Sequence, residues 1–315
     1  MVNFNFNYAK KCHNQKCGFK PCINKKISTF DYDHNQFNNA FEYVKCDLCS
    51  TIYFINGPSP DELGDVYPSS YGAYQKSNFG LIGSFARKFA AFFKLRRIKK
   101  YHPDAISFVA EFGCGANPLV TFLNIEPTNI YLIDHQINQD FFPNHSCIKL
   151  DGNTSINKLL DDGIRFDIIV FNQLIEHLSD PIDFLNNCHK LLNDNGIIYF
   201  ETPNFNGWEC DYFLESGLWG GLHAPRHNFV FNFTSITSLL DSTKFSLISR
   251  GSLLNPFILN QSLRAYFIHK ERKSFLWFFK LSNPVVLFGL LFSDIFQLMF
   301  GRKTGNAYFI AKKKV

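Results

Sequence analysis

Five short apolar runs constrain this chain more than any other feature. From residue 106 they read "ISFVAEF", "NIYLID", "CIKL", "RFDIIVFN" and "GIIYFET", separated by polar or amphipathic stretches of helix length. β-Branched and aromatic runs alternating with helical stretches predict an α/β architecture, a parallel sheet with helices on both faces. The helix signals agree: "SDPIDFLNNCHKLLNDNG" offers Ser179 or Asp180 as cap, Pro181 in the first turn and Gly196 at the exit. Farther on, "FTSITSLLDSTKF" reads as a helix, and "SLISRGS" and "NAYFIAKKK" read as strands.

In an open α/β sheet, ligands bind beyond the carboxyl ends of the strands. The first run ends in "EFGCGANP", where Gly113 and Gly115 permit a tight turn and close backbone approach. A helix after that turn would offer free N–H groups to an anionic end of a ligand. The second run ends at Asp134, whose carboxylate can accept hydrogen bonds from both hydroxyls of a ribose. Asp151 closes the next run and suits an adenine amino group. The dinucleotide pattern G-x-G-x-x-G fails at Pro118, and "GCGANP" lacks the P-loop lysine.

With these residues the chain resembles the class I S-adenosylmethionine-dependent methyltransferases. The resemblance implies a Rossmann-like sheet, S-adenosyl-L-methionine as cofactor and an enzyme that transfers its methyl group. It makes Glu111 the acidic residue of the glycine-rich motif and puts Asn117 where the family often has a third glycine. Asp134 then matches the ribose-binding acid and Asp151 the acid near adenine, with Gly152, Asn172 and Gln173 in the same cofactor pocket. "CDLC", "PSPDELGDVYPSSY" and "WGGLHAPRHNFVFN" narrow the resemblance to a subgroup with an N-terminal cysteine ribbon. Bacterial members of it often belong to surface-polysaccharide or other sugar biosynthesis. The implied acceptor is a small molecule, sugar-derived or nucleotide-linked.

The cysteines support a ribbon on their own spacing. Cys46 and Cys49 form a C-x2-C knuckle between strand-like runs, and Cys12 and Cys17 form a looser C-x4-C followed by Gly18. Four thiolates on two such turns can close a structural zinc site and stabilise a segment too small for its own core. Cys22 and His13 are alternative ligands; a decayed ribbon with reduced thiols is the other reading. The first residues carry no apolar run of the length a secretory signal needs, so a cytoplasmic setting is expected, where thiols outnumber disulfides. A net charge of +5 is too mild for a nucleic-acid-binding chain.

The expected organisation is a zinc-ribbon-like module over 1–60, a linker and basic amphipathic helix over 61–104, and a methyltransferase domain over 105–315. In the helix, Leu81, Ile82, Phe85, Phe89, Phe92 and Phe93 share a face, opposite Arg87, Lys88, Lys94, Arg96, Arg97, Lys99 and Lys100. Two readings stand: the apolar face packs on the main domain with the basic face in water, or the basic face meets an anionic lipid or a phosphate-bearing substrate. Residues 255–305 form an apolar helical insert that contains "NPVVLFGLLFSDIFQLMFG", a stretch short for a membrane span and charged at Asp294. It reads as a buried or lid helix, or as an interfacial one touching the inner membrane face.

Methyl transfer from a sulfonium is an in-line displacement that often requires a proton to leave the acceptor. Histidine is the natural base near neutral pH. The candidates are His177, with Glu176 beside it, and His223 and His227 in "GGLHAPRHNFVF"; Arg226 is a candidate clamp for an anionic substrate group. Each has a structural alternative: the "EH" pair as a helix start lining the pocket, the loop as a framework bonded to backbone carbonyls. The reading from a different functional class is a non-catalytic, membrane-associated scaffold of a glycan assembly with a vestigial pocket.

Overall fold

The computed structural model describes residues 12–13, 26–68, 71–75, 80–102, 104–151, 154–280 and 283–314. Strands β1 (Lys26–Thr29), β2 (Phe41–Lys45) and β3 (Ile52–Phe54) open the chain, followed by helix α1 (Gly80–Tyr101). Next come β4 (Val109–Phe112), β5 (Ile130–Asp134), β6 (Ser146–Lys149), α2 (Thr154–Asp161), β7 (Phe166–Asn172), α3 (Pro181–Leu191) and β8 (Leu192–Pro203). The remainder is α4 (Cys210–Phe213), β9 (Phe229–Val230), α5 (Phe233–Asp241), β10 (Phe245–Leu253), α6 (Pro256–His269), α7 (Pro284–Met299) and β11 (Asn306–Lys313).

The main sheet runs β10-β11-β8-β7-β4-β5-β6. Strands β4 to β8 pair in parallel, and β11 lies antiparallel between β8 and β10. Chain order moves outward from β4 to β6 and then returns to β7 on the other side of β4. That reversal opens the crevice at the carboxyl ends of β4 and β7. The two-residue period of the strands divides the core. Phe112, Ile169, Phe171 and Phe200 pack on the face covered by α3 and α5, while Val109, Ile168, Val170 and Tyr199 pack on the other.

Two local expectations change. Between β4 and β5 there is no α-helix; residues 120–122 and 127–129 form single 3-10 turns. Pro118 and Pro127 interrupt the segment, since proline cannot continue a hydrogen-bonded helix interior. Helix α3 uses Asp180 as cap, its carboxylate accepting from the N–H groups of Ile182 and Asp183, but it ends at Leu191 rather than at Gly196.

Helix α1 covers the sheet face that the missing helix leaves open. It does so with Ala91, Leu95 and Ile98, which are buried against that face. Phe85, Phe89, Phe92 and Phe93 are exposed. The expected packing of the phenylalanine face is therefore overturned: small and aliphatic side chains fit the close approach of a helix to a sheet, and the bulky rings stay outside.

The N-terminal strands are tied into the rest of the chain. They form a four-stranded antiparallel sheet ordered β1-β2-β3-β9, so residues 229–230 supply its last strand. The Tyr43 hydroxyl meets the carbonyls of Leu222 (2.9 Å) and His227 (3.0 Å). The Thr29 hydroxyl donates to the Gly217 carbonyl at 2.6 Å. Within 255–305 the chain forms α6, a 3-10 turn at Lys273–Trp277, and α7. Among the described residues no helix is long and apolar enough to cross a membrane.

Candidate active site

A cavity of about 1880 Å³ opens at the carboxyl ends of β4, β5 and β7. Typical small-molecule pockets hold roughly 300–1000 Å³, so this one has room for a nucleoside cofactor and a second molecule. On one side Gly113 and Gly115 turn the chain with φ of +63° and +52°. A side chain on Gly115 would meet the Ala73 carbonyl at 2.5 Å, so only glycine fits there. The Ala116 N–H donates to that same carbonyl at 2.8 Å, fixing residues 71–75 over the turn.

Asp134 is 6% exposed and lines this side. One carboxylate oxygen accepts from the Gly115 N–H (2.9 Å) and the other from the Gln136 N–H (3.1 Å). A carboxylate offers about four acceptor positions, so two remain for a ribose. Asn172 and Gln173 also line the cavity; the Asn172 Oδ1 is buried with no hydrogen-bond partner, as a group awaiting a ligand would be. The glycine cradle, the spare acceptors of Asp134 and this orphaned oxygen fit an adenosyl cofactor.

Other expected cofactor residues stand elsewhere. Glu111 is buried behind the turn, accepts from the Val120 N–H at 2.9 Å and does not line the cavity. Burial pushes its carboxyl up to about 7. It holds the loop that replaces the helix. Asn117 accepts from Arg87 at 2.9 Å, also away from the cavity wall. Asp151 is exposed and off the wall, where Lys149 and Leu150 stand instead. Gly152 lies outside the described residues.

The cavity is also lined by His177, His223 and His227 with Asp33, His34, Tyr67 and Tyr71. The His177 and His227 rings lie 4.6 Å apart, and those of His223 and His227 5.0 Å. Their environments differ. His177 Nδ1 contacts the Tyr67 hydroxyl (2.9 Å) and the Arg226 carbonyl (3.0 Å), and burial, followed by the nearby charge of His223, lowers its pKa to about 3. His227 Nδ1 meets the Gly221 carbonyl at 2.8 Å, and burial holds it well below the usual histidine value. Both are neutral rings held by backbone. His223 is paired with a carboxylate, its Nδ1 2.5 Å from Asp33 Oδ2.

The backbone of His223 is in the left-handed region, with φ of +39°. A non-glycine residue held there is a feature that clusters at functional sites. Burial works to raise the Asp33 carboxyl, but the hydrogen bond and charge of His223 outweigh it and hold it below the usual range. Asp33 is therefore ionised at neutral pH. It fixes the ring and leaves Nε2 as the nitrogen to meet an acceptor, the arrangement of a base oriented by an acid.

Glu176 is fully buried, accepts from the Thr202 hydroxyl at 3.0 Å and does not line the cavity. Burial pushes its pKa up to about 8, so it is neutral at pH 7. One ligand-type atom from each of Glu176, His177 and His227 lies within 4.8 Å of the others. Arg226 requires a correction. It is 0% exposed, pairs with Asp31 at 2.9 Å and donates to Gln36 at 2.5 Å. Both of its bonds to side chains tie its loop to the loop between β1 and β2, and it does not line the cavity.

Cys12, Cys46 and Cys49 converge, one sulfur of each within 4.8 Å of the others, and all are buried. The Cys12 and Cys49 sulfurs are 3.4 Å apart. That contact lowers the Cys49 thiol to about 4, despite burial. A tetrahedral zinc with bonds of about 2.3 Å would hold its sulfurs a little under 4 Å apart, so the cluster fits one. Cys17 lies outside the described residues. His13 is buried nearby but outside the cluster.

Asp31, Asp33, Tyr67 and Tyr71 are participants to which residue patterns assigned no role. They stand in "FDYDHNQ" and "DVYPSSY", polar stretches without periodicity. The density of Asp, His and Tyr in two short loops was the available signal.

The methyltransferase-domain family matches residues 85–250, more than half of the chain. The chain belongs to the class I S-adenosylmethionine-dependent methyltransferases. It is 34% identical over 109 residues to the ubiquinone biosynthesis O-methyltransferase of Coxiella burnetii (strain Dugway 5J108-111), a match covering 31% of this chain and 44% of that protein. It is 37% identical over 46 residues to the like-named protein of Histophilus somni (strain 2336), covering 14% and 19%. The chain thus spans less than half the length of these curated relatives. Among solved structures, coclaurine N-methyltransferase bound to N-methylheliamine and SAH aligns at 14% identity over 81% of this chain and 79% of that one, with a TM-score of 0.44. A SAM-dependent methyltransferase from Archaeoglobus fulgidus aligns at 16% identity over 72% and 94%, with a TM-score of 0.43.

Proposed function

We propose that the chain methylates a small acceptor, with S-adenosyl-L-methionine held by Gly113, Gly115, Asp134, Asn172 and Gln173. The cofactor supplies an electrophilic methyl on a sulfonium. The chain's own residues align the acceptor, exclude water and take up its proton. In this reading the His223 Nε2 would receive the proton that the acceptor's oxygen, carbon or nitrogen gives up on methylation. Asp33 is a positioning residue that orients His223 and stabilises its charged form. The observation that carries the reading is one cavity walled by both Asp134 and the Asp33–His223 pair. Neutral, backbone-held His177 and His227 suit a wall that shapes the acceptor pocket. A sugar-derived or nucleotide-linked acceptor follows from the subgroup resemblance; the relatives' names offer an O-methylated one.

Titration calorimetry with the cofactor and its thioether product tests the cofactor assignment. Asp134→Ala removes up to two charge-assisted hydrogen bonds, so the dissociation constant is expected to rise about 100-fold. Unchanged affinity in a folded variant would remove the ribose assignment.

We further propose a structural zinc on Cys12, Cys46 and Cys49, with Cys17 as the fourth ligand. Its role is to brace the turn between β2 and β3, at the end of the N-terminal sheet away from the loop that carries Asp31 and Asp33. Purified protein is expected to contain about one equivalent of zinc, lost in Cys46→Ser/Cys49→Ser. Zinc-free protein that is folded and stable sinks this assignment.

A further inference from the structure

Helix α7 turns the usual amphipathic arrangement around. Its one charged residue, Asp294, is 2% exposed and accepts from the Trp208 indole N–H (3.2 Å) and the Asn255 N–H (3.1 Å). Phe288, Phe292, Phe296 and Met299 face outward at helix-face spacing, 70%, 67%, 46% and 78% exposed. A surface helix normally buries its apolar stripe and turns its charges to water. Here the stripe is outside.

Helix α1 repeats the pattern with exposed Phe85, Phe89 and Phe92, and adds charge. Residues 80–101 contain no Asp or Glu, and Lys88, Arg96, Lys99 and Lys100 are exposed. The two helices border the same cavity, α1 through Phe89 and Phe93 and α7 through Leu291 and Leu298. Phe89, Phe93, Leu254 and Phe257 both line the cavity and are exposed, so its mouth is rimmed by apolar side chains.

We propose that this face docks on an anionic lipid bilayer, α7 lying in the interfacial plane and the α1 cations meeting lipid headgroups. Exposed rings flanked by lysine and arginine match the two components of interfacial binding, apolar burial and attraction to anionic lipid. A second copy of the chain is a poorer occupant, because two-fold pairing through α1 would oppose its cations to themselves. The docking is independent of the methyl-transfer reading. On that reading it adds an amphiphilic acceptor, entering past the apolar rim.

Flotation of the full chain with phosphatidylcholine vesicles, with and without phosphatidylglycerol, tests the docking. Binding is expected to the anionic vesicles and to weaken with added salt. Phe288→Ser/Phe292→Ser should lower partitioning at least about ten-fold, since each ring loses apolar burial. Lys99→Glu/Lys100→Glu should lower it by about ten-fold or more. Both variants should bind the cofactor as the parent does, which separates lost docking from lost folding. Two results overturn the proposal. One is protein that stays unbound with both vesicle types, or partitions unchanged after the substitutions. The other is a stable dimer in lipid-free solution that Phe288→Ser/Phe292→Ser turns into monomer.

Discussion

Replacing Arg226 with methionine is expected to lower the unfolding free energy by about 3–5 kcal/mol. The guanidinium and its partner Asp31 are each fully buried, 2.9 Å apart. Asp31 also accepts from the N–H groups of His34 (3.2 Å) and Gln36 (2.8 Å). Methionine leaves the Asp31 side chain without its ion-pair partner in a site closed to water. Total stabilities are commonly about 5–15 kcal/mol, so the variant should show a markedly lower denaturation midpoint or fail to fold. Chemical denaturation of parent and variant measures it. The double variant Arg226→Met/Asp31→Leu should recover much of the loss, because no buried charge then lacks a partner. A loss under about 1 kcal/mol in the single variant would mean the pair is solvated and the loop is not anchored there.

Turnover should respond differently at the neighbouring histidine. His223→Ala is expected to reduce methyl transfer by about 10²–10⁴-fold, the usual range for removing a general base. Cofactor affinity should be unaffected, since His223 is not among the residues proposed to hold the cofactor. Formation of the thioether product in the presence of a pool of candidate acceptors reads the rate, and calorimetry reads the affinity. Asp33→Asn should lower kcat while leaving cofactor binding intact, with Asp33→Glu restoring part of the rate. A purely structural Asp33 would lower stability and not kcat. Full turnover in His223→Ala returns the base role to His177 or His227, whose burial makes protonation far harder.

The central strands were readable because each is buried on both faces, and such strands must be written in β-branched and aromatic residues. Asp134 and the glycine turn were readable for a related reason: backbone conformation and strand-end position leave few residue choices. The face chosen by α1 was not. Periodicity identified a ring-bearing stripe, but which stripe packs depends on the sheet it meets, and this sheet buries Ala91, Leu95 and Ile98. Arg226 was visible as an isolated cation, while its partner lay far away in a polar loop. The same distance concealed Asp33. Long-range polar pairs carry no period, so their chemistry is seen only after the chain is folded.

That separation also sets an order of events. Asp31 and Arg226 are 195 residues apart in the chain. At ribosomal rates of about 5–20 residues per second, the earlier partner waits roughly 10–40 s for the later one. During that interval β3 presents an open hydrogen-bonding edge that β9 has not yet reached. The acceptor wall thus closes only after most of the α/β core has been made, and the N-terminal sheet carries an open edge until then, as β8 does until β11 arrives.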